Sequence, residues 1–192
     1  MKNARISLLV ILCAAPAIAQ TNGTFLLTSS NTVSPTTPTT TVGIWATWFD
    51  PGAQFLFRGA DYDLTAGDGV FSNPVNRLFG PFSTGVIAGN VISGAFSGQI
   101  HLPPFGSASR DNPILLATYD WTTRDFTPRT VSLHTSNTAN FFVALYSTGK
   151  VLPNLFPQEF SPGSGVINVI PTPAVWVVLA LPLAAATRRR RC

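Results

Sequence analysis

The sequence predicts an all-β protein: a single β-sandwich flanked by an N-terminal signal-peptide helix and a C-terminal hydrophobic helix. Three observations carry that expectation. Between Gln20 and Pro171 apolar residues recur at alternate positions in short runs. Clusters of Gly, Pro, Asp and Asn separate the runs, which is turn chemistry. No long stretch in that interval has helical spacing. Short strands of this kind bury their apolar faces by packing two sheets together.

At the amino end, Lys2 and Arg5 precede an apolar run over residues 6–15, and Ala17-Ile18-Ala19 stands before Gln20. A charged start, an apolar core and an A-x-A site mark a secretory signal. Residues 1–19 are therefore expected to be removed by signal peptidase between Ala19 and Gln20. Val10-Ile11-Leu12 lacks the small residues that precede a lipidated cysteine, so Cys13 should leave with the signal.

Residues 20–41 follow as a Ser/Thr-rich N-terminal segment. A short strand is expected at residues 25–27. The stretch TSSNTVSPTTPTTT (28–41) then reads as an exposed extended linker or edge strand and a candidate for glycosylation. The sandwich proper is expected over residues 42–169. Val42, Ile44, Ala46 and Trp48 alternate with Trp45, Thr47 and Phe49, which suits a strand covered on both faces. Asp50-Pro51-Gly52 is a turn, residues 54–64 a second strand, and Gly67-Asp68-Gly69 the next turn. Residues 74–79 read as a short helix or loop. Residues 86–100 hold one or two weakly packed strands, and a loop spans 103–113. Strands are expected at 114–121, at 129–134 with Val131 and Leu133 inward, at 141–146 and at 165–169.

The succession VGIWATWFDPG…GADYDLTAGDG, NPILLATYDW…TVSLHTS and FFVALYSTG resembles the cohesin-type jelly roll over residues 42–169. An immunoglobulin-like sandwich is the other type this strand pattern allows.

Charge and cysteine content exclude several classes. The formal net charge of +4 depends on Lys2, Arg5 and Arg188 to Arg191. Residues 20–187 carry six cations against eight acids, a net charge of −2, so no basic patch for nucleic acid remains. Cys13 and Cys192 lie in the terminal segments, which leaves the domain without disulfide or thiol chemistry. It is expected to fold without metal or cofactor.

No strong catalytic motif appears. His101 lies in an expected loop and His134 on an outward strand face, and neither has a nearby acid or cysteine to complete a zinc site. The serine-hydrolase elbow and the phosphate-binding glycine loop are absent, and Ser164 between Gly163 and Gly165 reads as a turn residue. Asp61, Asp63 and Asp68 are spaced for calcium oxygens, but the twelve-residue loop with its terminal glutamate is missing, so surface acids are the expectation. No carboxylate pair for glycoside hydrolysis stands out. Trp45, Trp48 and Trp121 are expected in the core. No catalytic, cofactor-binding or metal-ligating residue is expected, and the protein is not expected to be an enzyme.

The carboxyl end reads as an address over residues 170–192. Pro171-Thr172-Pro173 precedes an uncharged apolar segment, 174–187, followed by Arg188, Arg189, Arg190, Arg191 and Cys192. Thirteen apolar residues, 174–186, span only about 20 Å as a helix, short of the ~20 residues a bilayer core needs, and Pro182 interrupts them. The segment suits transient insertion, with the arginines held in the cytoplasm. A core helix with four terminal arginines is hard to place, and a glycolipid signal would end in its apolar tail. A permanent tail anchor is the competing reading. The three-part order resembles the PEP-CTERM sorting signal of bacterial envelope proteins, which implies processing by an exosortase-like enzyme. Thr172 stands where that signal carries an acidic residue.

The sequence thus reads as an exported cell-envelope protein, at least transiently membrane-anchored through its tail. Its expected role is structural or adhesive, at the cell surface or in the extracellular matrix. The expected partners are signal peptidase, an exosortase-like enzyme and extracellular polysaccharide, with no nucleic acid. A carbohydrate-binding module is the second reading, which exposed aromatics on one sheet face would favour. A hydrolase is the third, which two carboxylates converging in a cleft would favour.

Overall fold

The computed structural model describes residues 23–28, 32–50, 52, 55–100, 111–136, 141–147, 150–157 and 160–171. Among them lie fourteen strands and no helix: β1 (Gly23–Thr28), β2 (Thr32–Val33), β3 (Thr39–Trp48), β4 (Phe55–Ala66), β5 (Val70–Asn76), β6 (Phe82–Ser83), β7 (Val86–Ala88), β8 (Val91–Gly98), β9 (Ile114–Thr122), β10 (Arg129–Ser136), β11 (Phe141–Ser147), β12 (Lys150–Pro157), β13 (Phe160–Ser161) and β14 (Ser164–Val169). One sheet has the order β13-β1-β3-β9-β5. The other runs β12-β11-β4-β10-β14-β2, with β8 also on β4 and both β6 and β7 on β8. Residues 1–19 and most of residues 170–192, where both terminal helices were expected, lie outside the described residues.

β4 organises the second sheet because it is long enough to take two partners end to end. Its twelve residues pair with β11 near Ala60, opposite Phe141, and with β10 near Ala66, opposite Leu133. β8 occupies its other edge, from Gly59 opposite Gly98 to Thr65 opposite Val91. Tyr62, Leu64 and Ala66 point inward by the period of two and are fully buried.

In the first sheet β3 and β9 are central. Val42, Ile44, Ala46 and Trp48 of β3 are buried, as are Ala117, Tyr119 and Trp121 of β9. Aromatic rings join the two layers. Phe25 of β1 lies 5.8 Å from Tyr62 and 5.9 Å from Phe141, and Trp48 of β3 lies 6.2 Å from Phe57 of β4. At the centre the Tyr62 hydroxyl meets that of Tyr119 at 3.1 Å and Ser97 Oγ at 3.3 Å. The start of the described chain is tied to its end in both sheets: β1 pairs with β13 and β2 with β14, each in parallel.

Several strands follow the expected pattern: β3, β9, β10 with Val131 and Leu133 buried, β11, β14, and the β7–β8 hairpin over Gly89-Asn90. Three features differ. The Ser/Thr-rich stretch, expected as an exposed linker or edge strand, supplies edge strand β2 and so belongs to the sandwich that was expected to begin at residue 42. Val33 is fully buried and pairs opposite Val169, while Ser34 and Thr37 close a turn that brings the chain into β3 at Thr39. One apolar residue among hydroxyls is enough to anchor it. Residues 74–76, expected as helix or loop, belong to edge strand β5. Pro74 sits within a bulge between Ser72 and Val75, beside Asn73 at φ 48°, and an edge bulge tolerates a residue without an N–H. Finally, β12 and β13 carry no alternating signal and were not expected.

Two outcomes test this account. Val33→Asp should lower the unfolding free energy by about 3 kcal/mol or more, because it leaves an unpaired buried charge. Thr32→Asp, exposed on the same edge strand, should stay within about 0.5 kcal/mol in the same urea titration. In the tyrosine pair, Tyr62→Phe strands the Tyr119 hydroxyl and should cost about 1–3 kcal/mol. Tyr119→Phe leaves Tyr62 its Ser97 partner and should cost less, and the double variant should cost less than the sum. Strict additivity would deny the contact any energetic role.

Candidate binding cleft

The outer face of the five-stranded sheet carries an apolar row in register. Leu26 of β1 lies opposite Trp45 of β3, and Trp45 lies opposite Leu115 of β9. Trp45 was expected in the core, yet it is half-buried and faces outward, because period two sends it away from Ile44 and Ala46. Its indole is laid down along the strand. Nε1 donates to Thr28 Oγ1 at 3.0 Å, and a Cβ added at Gly43 would stand 3.1 Å from the same nitrogen. Gly43 therefore makes room for the ring, and Thr28 fixes its direction.

Trp45 lines an open cleft of about 660 Å³ together with Arg77, Phe79, Gln99, Asp111 and Leu115. Arg77 reaches it from the end of β5: its N–H donates to Leu116 O at 2.9 Å and its Nε to Thr118 Oγ1 at 3.2 Å. Phe79 is 56 % exposed. Gln99 follows β8, where its N–H donates to Arg58 O at 3.0 Å. The side chain is only 8 % exposed, and its Oε1 has no hydrogen-bond partner among the described residues. Asn112 holds the entry to β9 against the end of β3: Oδ1 accepts from Thr47 Oγ1 at 2.6 Å and Nδ2 donates to Trp48 O at 2.7 Å.

A second cleft, of about 620 Å³, lies where the β4–β5 and β9–β10 turns meet. Arg129 staples these turns. Nε donates to Asp68 Oδ2 at 2.7 Å, Nη1 to Asp125 O at 2.8 Å and Thr127 O at 3.0 Å, and Nη2 to Thr123 Oγ1 at 3.1 Å. The Asp68 hydrogen bond raises the Arg129 guanidinium pKa further above its ordinary value. Asp125 is depressed below the usual carboxylate value, first by the Thr127 backbone N–H and then by the Thr127 hydroxyl. With its donors committed in this way, the guanidinium links two turns.

The other acids are dispersed. Asp63 accepts from Gly94 N at 2.6 Å on the outer face of β4, and Asp68 is paired with Arg129 at the turn. No three of His, Cys, Asp or Glu converge among the described residues. His134 is exposed opposite Thr65 and Ser164, and Ser164 opens β14. Burial raises the Tyr62 and Tyr119 hydroxyls above the ordinary phenol value, so they sit in the core as neutral partners. Of the residues expected to form a sorting signal, Pro171 is described and exposed. Thr172, Pro173, Arg188 to Arg191, Ala17, Ala19, Gln20 and His101 lie outside the described residues.

No family model matches the sequence, and no curated protein matches it significantly. Solved structures do match. A cohesin module from a Clostridium perfringens ATCC13124 family 33 glycoside hydrolase superposes with a TM-score of 0.51 at 10 % identity, covering 79 % of this chain and 98 % of the module. The seventh ScaB type I cohesin of Pseudobacteroides cellulosolvens gives 0.51 at 16 % identity, covering 81 % and 96 %. The chain is thus a β-sandwich similar in fold to cohesin modules. Both matched structures are of the cohesin form, one of the two sandwiches the strand pattern allowed, and at these identities the likeness is one of fold.

The Asp125 turn yields a pH signature. A carboxylate whose folded pKa is lowered binds fewer protons folded than unfolded. Its contribution is present above the ordinary 3.8 and is lost as pH falls through the folded value. The melting-temperature gap between the parent chain and Asp125→Asn should be constant above about pH 5 and shrink below about pH 4. A gap independent of pH would exclude this assignment.

Proposed function

We propose that this chain is an exported protein of the bacterial cell envelope with a structural or adhesive role, at the cell surface or in the extracellular matrix. The observation that carries the reading is the fold. A single sandwich takes up nearly the full length of solved cohesin modules, and the sequence flanks it with an export signal (1–19) and an address (170–192). A sandwich so flanked is a module for contact, not for turnover.

The tail reading gains support from where the sandwich ends. Ile170 donates a backbone hydrogen bond to Val33 O at 2.9 Å, and Pro171 beyond it is exposed. Pro171, the first residue of the Pro171-Thr172-Pro173 motif, would then be open to an exosortase-like enzyme. Meanwhile the apolar segment 174–187 enters the membrane and Arg188 to Arg191 stay behind it.

Fractionation combined with mass measurement of both chain ends tests this. The mature protein should begin at Gln20 and lack Arg188 to Arg191. Replacing those four arginines by Ser should release an uncleaved chain to the medium. Pro171→Ala with Pro173→Ala should instead leave the chain in the membrane with its tail intact. Wild-type protein at the surface that still carries its arginines would refute sorting and establish a permanent anchor.

A further inference from the structure

We infer that the cleft beside Trp45 binds a pyranose unit of a polysaccharide. The inference deepens the adhesive reading by naming its ligand class. Three features of the cleft ask for different things, and one small ligand supplies all three. The Trp45 indole is held flat against the sheet by Thr28 Oγ1 above Gly43, with Leu26 and Leu115 in register on either side. A platform of that shape takes a flat apolar face, because a π surface attracts the weakly positive edge of C–H bonds. Gln99 lines the cleft and its buried Oε1 has no partner among the described residues, so a turn of the side chain toward the cleft would offer that acceptor to an O–H or N–H donor. Arg77 commits its Nε to Thr118 and offers further guanidinium N–H groups at the cleft, so it takes an acceptor. A pyranose presents a C–H face, and each hydroxyl at its rim both donates and accepts. Few fixed polar groups around an apolar floor are also the usual composition of a small-ligand site.

The orphaned amide is the strongest of these. An unsatisfied buried oxygen weakens the fold, and an apolar side chain of the same size would fill the space without that cost. At the Arg129 staple the idle atom is Asp68 Oδ1, but Asp68 is paired with Arg129 through its other oxygen, and the guanidinium is engaged by the two turns it joins.

The full exported chain, purified from its native cells, is titrated with neutral, N-acetylated and uronic-acid oligosaccharides while tryptophan emission is followed. Trp48 and Trp121 are buried, so a ligand on the half-exposed Trp45 should shift emission. At least one sugar class is expected to bind. Trp45→Ala should abolish the shift and weaken retention on the matching polysaccharide about tenfold or more. Gln99→Met should weaken it similarly while the melting temperature stays level or rises, which a merely structural glutamine would not allow. The class that binds also settles whether Arg77 meets a hydroxyl or a carboxylate. Failure of every sugar to shift emission, equal binding by Trp45→Ala, or a clear fall in melting temperature for Gln99→Met would each overturn the inference. So would a peptide ligand occupying the cleft in place of sugar. None of these results bears on the chain ends measured in cells, so the export reading stands or falls separately.

Discussion

The two sheets meet at a pair of phenol hydroxyls, and much of the structure is arranged so that they can. Tyr62 on β4 and Tyr119 on β9 come from different sheets and are both fully buried. Each hydroxyl would weaken the fold if left alone, because an unpaired polar group in an apolar interior forfeits its hydrogen bonds to water. Paired with each other and with Ser97, they become a registration mark. A one-residue slip of either strand would turn its tyrosine to the opposite face. With no cysteine between residues 20 and 187, registration falls to packing and to this contact. Phe25 packs against Tyr62 and Phe71 against Tyr119, and Phe141 and Phe57 extend the cluster from Phe25.

Outside the core the sheets repeat another device: a large ring lies across the space left by a glycine. Phe96 covers Gly59 and Gly98, where an added Cβ would stand 2.9 Å from its ring atoms. Trp45 covers Gly43 in the same manner on the other sheet. In both cases the missing side chain lets an aromatic lie down on the strands, which shields backbone that glycine would otherwise expose. On the first sheet the arrangement leaves the indole half open beside the cleft. The same packing that protects β3 therefore provides the surface a ligand can use.

Much of the fold was legible because alternation is a local property. β3, β9 and β10 announce themselves through residues two apart, and the turns at Asp50 and at Gly67 to Gly69 through glycine, proline and aspartate. What escaped depended on partners distant in sequence. Val33 is one valine among hydroxyls, and only its pairing opposite Val169 explains its burial. Pro74 looks like a strand breaker until the edge position of β5 is known. Trp45 was assigned by its size instead of its parity, although the alternation that buries Ile44 already turned it outward. Gln99 carried no signal at all: one amide between Gly98 and Ile100 has no pattern.

Three buried polar atoms lack partners among the described residues: Trp48 Nε1, Asp68 Oδ1 and Gln99 Oε1. They are not equivalent. Trp48 contributes a ring to the contact with Phe57, and that gain in buried aromatic surface offsets one silent N–H. Asp68 has its second oxygen in the pair with Arg129, so its charge is compensated even though one lone-pair set is idle. Gln99 has no such return, because its aliphatic stem would be matched by methionine or leucine without the oxygen. Folding alone does not account for that amide, whereas a ligand with a hydroxyl to donate does. The core and the sheet pairing account for how this chain folds. Among the described residues, Gln99 Oε1 at the outer cleft is the idle polar atom that neither ring packing nor a charge partner offsets, which fits a surface built for contact.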